Sequence, residues 1–125
     1  MIGTLGIETE AGEDGVVRGR IPVTDRIRQP YGLVHGGALL TLAETLASHG
    51  TWVGVKDEGK LALGQEINAS LMRPISSGNV NGVATPRRRG RTAWVWDVEI
   101  TDDEGRLCAL VRATIAVRPR PKDPP

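Results

Sequence analysis

Between Gly36 and about Val55 lies a run long enough for a helix of about five turns, and it is apolar on almost every side. Leu39, Leu42, Leu46 and Val53 form one stripe, while Leu40, Ala43, Ala47 and Trp52 leave little polar surface opposite it. A helix of that kind is buried on most of its faces, so the rest of the chain has to wrap around it. With 125 residues, 39% of them hydrophobic, the chain suits one compact domain with one core. That domain is expected over residues 1–118, and the proline-rich tail, residues 119–125, is expected to fray because it can bury almost nothing.

Segments with a period of two supply the wrapping. Residues 5–9 and 16–23 read as two short strands paired as a hairpin across the turn-rich Gly12-Glu13-Asp14-Gly15. After the helix, Leu61, Leu63, Ile67, Ala69 and Leu71 alternate with Glu66, Asn68 and Ser70, a strand that ends at Arg73-Pro74. Three more follow: residues 80–85, residues 92–101 with Trp94, Trp96, Val98 and Ile100 on one face, and residues 106–117. In the last strand Leu107, Ala109, Val111, Ala113, Ile115 and Val117 take every second place, and Asp102-Asp103-Glu104-Gly105 supplies the turn before it. Two strands, one buried helix and four more strands describe an α+β arrangement, an antiparallel sheet curled around a central helix. There is no internal repeat.

The formal charge is +1, from 16 basic and 15 acidic residues, so no global field points to nucleic acid or to an acidic membrane. Cys108 is the single cysteine, which excludes an internal disulfide. Residues 1–8 have neither the basic start nor the apolar stretch of a signal peptide, and the longest apolar region is interrupted by Glu44 and His49. A soluble, cytoplasmic protein without a membrane partner is expected.

The segment entering the helix is Gln29-Pro30-Tyr31-Gly32-Leu33-Val34-His35-Gly36-Gly37. It sets a histidine and two glycines at a loop-to-helix junction, where free backbone N–H groups can hold an anion. Glu44 then places one carboxylate inside the apolar helix, with Ser48 one turn onward on the same face. Each residue has a plain structural use: His35 as a hydrogen-bonding group, Gly36-Gly37 to let the chain turn, Glu44 as the partner of an arginine. Unpaired burial of a carboxylate is costly, however, and structural use of Glu in an apolar helix is uncommon. The joint spacing, rather than any one residue, points to chemistry.

The pattern Gly32-x-x-His35-Gly36-Gly37-x-x-x-x-Leu42-x-Glu44, with Gly64-x-Glu66-Ile67-Asn68, Arg73-Pro74, Gly78 and Gly90-Arg91, resembles the hotdog-fold acyl-CoA thioesterases of the phenylacetate-degradation (PaaI-like) type over nearly the whole chain. Gln29 and Glu44 stand where many members have Asn and Asp, which brings the chain closer to the aryl-CoA thioesterase subgroup with Gln and Glu. The resemblance implies a hotdog fold and hydrolysis of an aromatic acyl-CoA. It makes Glu44 the nucleophile or general base, Gly36 the backbone donor to the thioester oxygen, Gln29 and His35 substrate-positioning groups, and Ser48 the group that orients water or the carboxylate. It implies no cofactor, coenzyme A being part of the substrate, and no metal.

The requirements of thioester hydrolysis lead to the same residues. An N–H at a helix N-terminus is preorganised for the negative charge that develops on the carbonyl oxygen, and Gly36 and Gly37 let a bulky acyl group approach the backbone. A carboxylate then attacks or deprotonates water, and an apolar setting would raise its pKa and keep it reactive. Gly36 and Glu44 are eight residues apart, roughly 12 Å along a helix, so one chain cannot apply both to one carbonyl. The sequence therefore predicts an obligate dimer with two sites at the interface, and a pairing of dimers into a tetramer is compatible with it.

The run Arg87-Arg88-Arg89-Gly90-Arg91 invites a nucleic-acid reading. Balanced net charge and few stacking residues (no Phe; Tyr31, Trp52, Trp94 and Trp96, most of them expected in the core) argue against it. The cluster suits the phosphates of coenzyme A instead, with Arg88, Gly90 and above all Arg89 and Arg91 as contacts. Two other functions share this framework. A hotdog dehydratase or hydratase uses a wider His-to-acid spacing than the nine residues here, and a non-catalytic acyl-CoA-binding module has no use for Glu44 with Ser48.

Overall fold

The computed structural model describes residues 5–121. Six strands, β1 (Glu8–Ala11), β2 (Val17–Pro22), β3 (Lys60–Leu71), β4 (Asn79–Arg89), β5 (Ala93–Thr101) and β6 (Leu107–Pro119), make one antiparallel sheet in the order β1-β2-β4-β5-β6-β3. A single long helix, α1 (Gly36–Val55), packs against one face of it. The helix has the bounds that the apolar run predicts. The first strand begins at Glu8 rather than Leu5, β4 continues four residues past Thr85, and β6 reaches Pro119, which pairs with Lys60. The Arg120 N–H also donates to the Gly59 carbonyl (3.0 Å), so the first part of the expected tail is tied to the sheet. Residues 122–125, and Met1 to Thr4 at the other end, lie outside the described residues.

Leu39, Leu42, Ala43, Leu46 and Ala47 bury the inner face of α1 against Ile21, Val80, Trp96, Val98, Ile100 and Ile115 of the sheet. Gly19 and Gly82 face each other across β2 and β4, and both bare Cα positions are occupied by the two methyls of Leu46. Val53 departs from the expected stripe and is exposed, as is Trp52, while Val55 is buried. Of the four aromatic residues, Tyr31 is 88% exposed and Trp52 42%, so only Trp94 and Trp96 pack with the core. The expectation that the helix is covered on most sides therefore fails for one chain alone. Its outer face carries Glu44, Trp52 and Val53 into solvent.

Gly50 is where two physical effects of opposite sign meet. In an exposed helix, Gly→Ala would stabilise by about 1 kcal/mol. Here a Cβ would run into the Trp96 ring and stand 2.8 Å from a Val17 methyl. The ring cannot retreat easily, because its Nε1–H donates to the Thr51 hydroxyl (2.8 Å). Overpacking costs about 1–3 kcal/mol, so Gly50→Ala is expected to be destabilising. Thermal unfolding should show a melting temperature several degrees below the parent, whereas a rise would mean that propensity wins.

One strand corrects the sequence pattern in a way that bears on function. Across β3 and β6 the register shifts between Gly64 and Glu66, leaving Gln65 as an extra residue. A bulge of this kind moves the side chains on its two flanks to opposite faces. Beyond it, Ile67, Ala69 and Leu71 stand opposite the inward-facing Ala113, Val111 and Ala109, as the alternation predicts. Before it, Ala62 and Gly64 stand opposite Val117 and Ile115 instead, so Leu61 and Leu63 point to the other side.

Candidate active site

The chain enters α1 through a tight turn. Pro30 takes the first central place, the Gly32 N–H donates to the Gln29 carbonyl (2.9 Å), and the Gln29 N–H donates to Leu33 (2.6 Å). Gly32 has φ +87°, the left-handed conformation that closes such a hairpin. Arg28 and Val34 pair beside it. The entry is then clamped to the body of the fold: the Val34 N–H donates to the Ile75 carbonyl and the His35 N–H to Ile27, each at 2.8 Å.

His35 occupies the N-cap position with extended backbone (φ −61°, ψ 137°) and an exposed side chain that makes no capping hydrogen bond. Gly36 and Gly37 are the first two helical residues, whose N–H groups have no acceptor within the helix. Gly36 opens onto a cavity of about 270 Å³ lined with Gln29, Leu33, Leu39, Leu71 and Met72 among others. Leu71, at the end of β3, brings Cδ1 to 2.7 Å from where a Gly36 side chain would begin. The structure thus joins Gln29, the first helical amide and an apolar chamber, in the field of the helix N-terminus.

Glu44 is elsewhere. It lies outside that cavity on the exposed side of α1, its carboxylate against Gly64 of β3, with a half-buried Ser48 one turn further on. None of the ion pairs among the described residues involves Glu44, so the reading of it as a partner for an arginine does not hold here. The apolar burial expected around this carboxylate is likewise not supplied by its own chain.

The arginine cluster closes the other end of the molecule. Arg89 lies over the Trp94 ring (5.6 Å), and Trp94 packs on Gly54 in the last turn of α1, a full helix length from Gly36. Arg87 pairs with Asp97 (3.4 Å), Arg88 and Arg91 are exposed, and the Gly90 N–H donates to the Ala93 carbonyl (3.0 Å) to close the β4–β5 turn. Within one chain the cluster and the helix start are not brought together. Cys108 is no competing nucleophile: it is buried, and burial pushes its thiol up from the ordinary value. Sequence reasoning missed Leu71 and Met72 as cavity walls and Gly64 as the neighbour of Glu44. A glycine inside a strand pattern was the available signal for the last.

Comparison with known proteins bears on the same residues. Residues 31–109 match the family described as the thioesterase superfamily. Proofreading thioesterase EntH of Klebsiella pneumoniae is 41% identical over 117 residues, covering 94% of this chain and 85% of the relative. The 1,4-dihydroxy-2-naphthoyl-CoA hydrolase of Escherichia coli K12 is 40% identical over 117 residues with the same coverage, 94% and 85%. Among solved structures, thioesterase SAV0944 of Staphylococcus aureus superposes with a TM-score of 0.90 at 35% identity, covering 94% of this chain and 98% of that one. It has been crystallised as a glutamate-to-alanine variant and separately as a glutamine-to-alanine variant. With a family match over more than half its length, and a sheet and helix that superpose on solved thioesterases, this chain belongs to the thioesterase superfamily and has the hotdog fold.

Proposed function

We propose that this thioesterase hydrolyses an aromatic acyl-CoA to the free acid and coenzyme A, at two sites each shared between the protomers of a dimer. The observation that carries the reading is the division of the site. Gln29 and the Gly36 amide open onto one apolar chamber, Glu44 faces solvent about 12 Å along the same helix, and neither can serve the other within a chain. A second copy turned by a two-fold axis would set its Glu44 opposite this chamber. Exposed apolar surface lies beside the chamber to receive it: β3 is one of the two edge strands of the sheet, and Leu71 and Met72 at its end are 56% and 50% exposed.

In that arrangement the thioester oxygen accepts from the Gly36 N–H as charge develops on it. Glu44 of the partner subunit either attacks the carbonyl carbon, the C–S bond breaking to leave a mixed anhydride that water then hydrolyses to the free acid, or takes the proton of a water that attacks the carbon as the C–S bond breaks. In both cases the departing thiolate of coenzyme A is balanced by the proton that the water gives up. Gln29 and His35 position the acyl group, Ser48 orients the carboxylate or water, and no cofactor is required. A further coincidence supports Gln29 and Glu44: the glutamine and glutamate substituted in SAV0944 are fifteen residues apart, the separation of Gln29 and Glu44 here. The apolar chamber and the naphthoyl-CoA hydrolase among the relatives favour an aromatic acyl group.

The test is release of free coenzyme A thiol from benzoyl-, phenylacetyl-, hydroxynaphthoyl- and straight-chain acyl-CoA. Higher kcat/KM for the aryl substrates is expected, and equal turnover of straight chains would remove the aromatic preference. In the same assay Arg91→Ala and Arg89→Ala are expected to raise KM roughly tenfold, the worth of one charge-assisted contact to a phosphate, with kcat little changed. A fall confined to kcat would take the phosphates away from this cluster.

A further inference from the structure

We infer that Gly64 is a positioning residue for Glu44, left without a side chain so that the carboxylate can lie against β3. This rests on the reading of Glu44 as the acting carboxylate, which a separate variant tests.

Glycine is a poor choice for the interior of a twelve-residue strand, where β-branched residues are favoured. Backbone conformation does not demand it: the left-handed glycines among the described residues are Gly6, Gly15, Gly32, Gly59, Gly78 and Gly105, and Gly64 is not one of them. Nor does the core demand it, in contrast to Gly50, whose missing side chain is replaced by Trp96. The three atoms nearest a Cβ at Gly64 all belong to Glu44, Oε1 at 3.0 Å, Cδ at 3.3 Å and Cγ at 3.5 Å. The one group that profits from a glycine here is the carboxylate.

The bulge at Gln65 makes the same point from the strand's side. Without the extra residue, the alternation set by Ile67, Ala69 and Leu71 would turn Leu63 toward the helix; with it, Gly64 takes that place and Leu63 faces away. Bulges are common next to active sites because they re-aim one side chain. Here the residue re-aimed is one that has none, beneath the carboxylate.

A methyl group at Gly64 is tighter than ordinary contact with the flexible end of Glu44, so the carboxylate gives way by a few tenths of an ångström. Catalytic groups tolerate displacement of about 0.5 Å, and 1 Å can cost a hundredfold. Gly64→Ala is therefore expected to lower kcat about threefold, and the bulkier Gly64→Val about tenfold or more, with KM within about twofold and a melting temperature no lower than the parent's. In a Glu44→Asp background, whose shorter carboxylate stands clear of the strand, Gly64→Ala is expected to cost nothing more. Unchanged kcat in both Gly64 variants, a rise in KM alone, additive losses with Glu44→Asp, or failure of both variants to fold would each overturn the inference. A crystal structure of Gly64→Ala with the carboxylate unmoved would do so whatever the activity. Full activity in Glu44→Ala is a different failure, which removes the mechanism and leaves the packing of Glu44 on Gly64 standing.

Discussion

Glu44→Gln is expected to lower kcat for thioester hydrolysis by about a thousandfold, with KM and thermal stability close to those of the parent. Glutamine keeps the length and shape of the side chain but can neither attack a carbonyl nor hold a proton taken from water. Stability should survive, because Glu44 is exposed in its own chain and joins no ion pair among the described residues. Substitutions at such positions ordinarily change folding by no more than about 0.5 kcal/mol. A structural carboxylate would show the reverse pattern, with melting temperature falling and turnover per folded molecule intact. Glu44→Ala should lose at least as much activity, and ordinary turnover in either variant would exclude the mechanism.

What the sequence discloses about this fold follows from how local each signal is. The helix bounds were legible because a run apolar on almost every side admits one reading at that length, and Asp102 with Gly105 marks the β5–β6 turn as plainly: the Gly105 N–H donates to the Asp102 carbonyl at 3.0 Å. The bulge at Gln65 was not legible, since Leu61 and Leu63 before it and Ile67, Ala69 and Leu71 after it all stand on odd numbers, and only pairing with β6 shows that an extra residue enters between them. Trp52, Val53, Leu63 and Leu71 were read as core because hydrophobic patterning does not tell which apolar residues the chain itself leaves exposed. The site residues divide in the same way. Gln29 and Gly36 lie on one short segment, so their proximity was legible, but the surroundings of Glu44 are set by a strand twenty residues further on, and the apolar setting expected of it is not supplied by its own chain.

That missing cover can be tested by complementation between two inactive proteins. Gly36→Pro is suited to the first half of the site: Gly36 is the opening helical residue, where proline is favoured. His35 before it already has the extended backbone that a following proline requires (φ −61°, ψ 137°). The substitution deletes one N–H, and the atom that its Cβ meets is a methyl at the flexible end of Leu71. Loss of that oxyanion donor is expected to lower kcat by about a hundred- to a thousandfold. Glu44→Gln removes the other half. In a mixed dimer one site has both defects and the other has neither, since it draws its amide from the Glu44→Gln protomer and its carboxylate from the Gly36→Pro protomer. Equal amounts unfolded and refolded together should give mixed dimers in half of the molecules, each with one working site, and so about a quarter of the parent activity. A site completed within a single chain predicts no recovery at all, because every chain in the mixture is defective. Recovery of the expected size would place the amide and the carboxylate on opposite protomers.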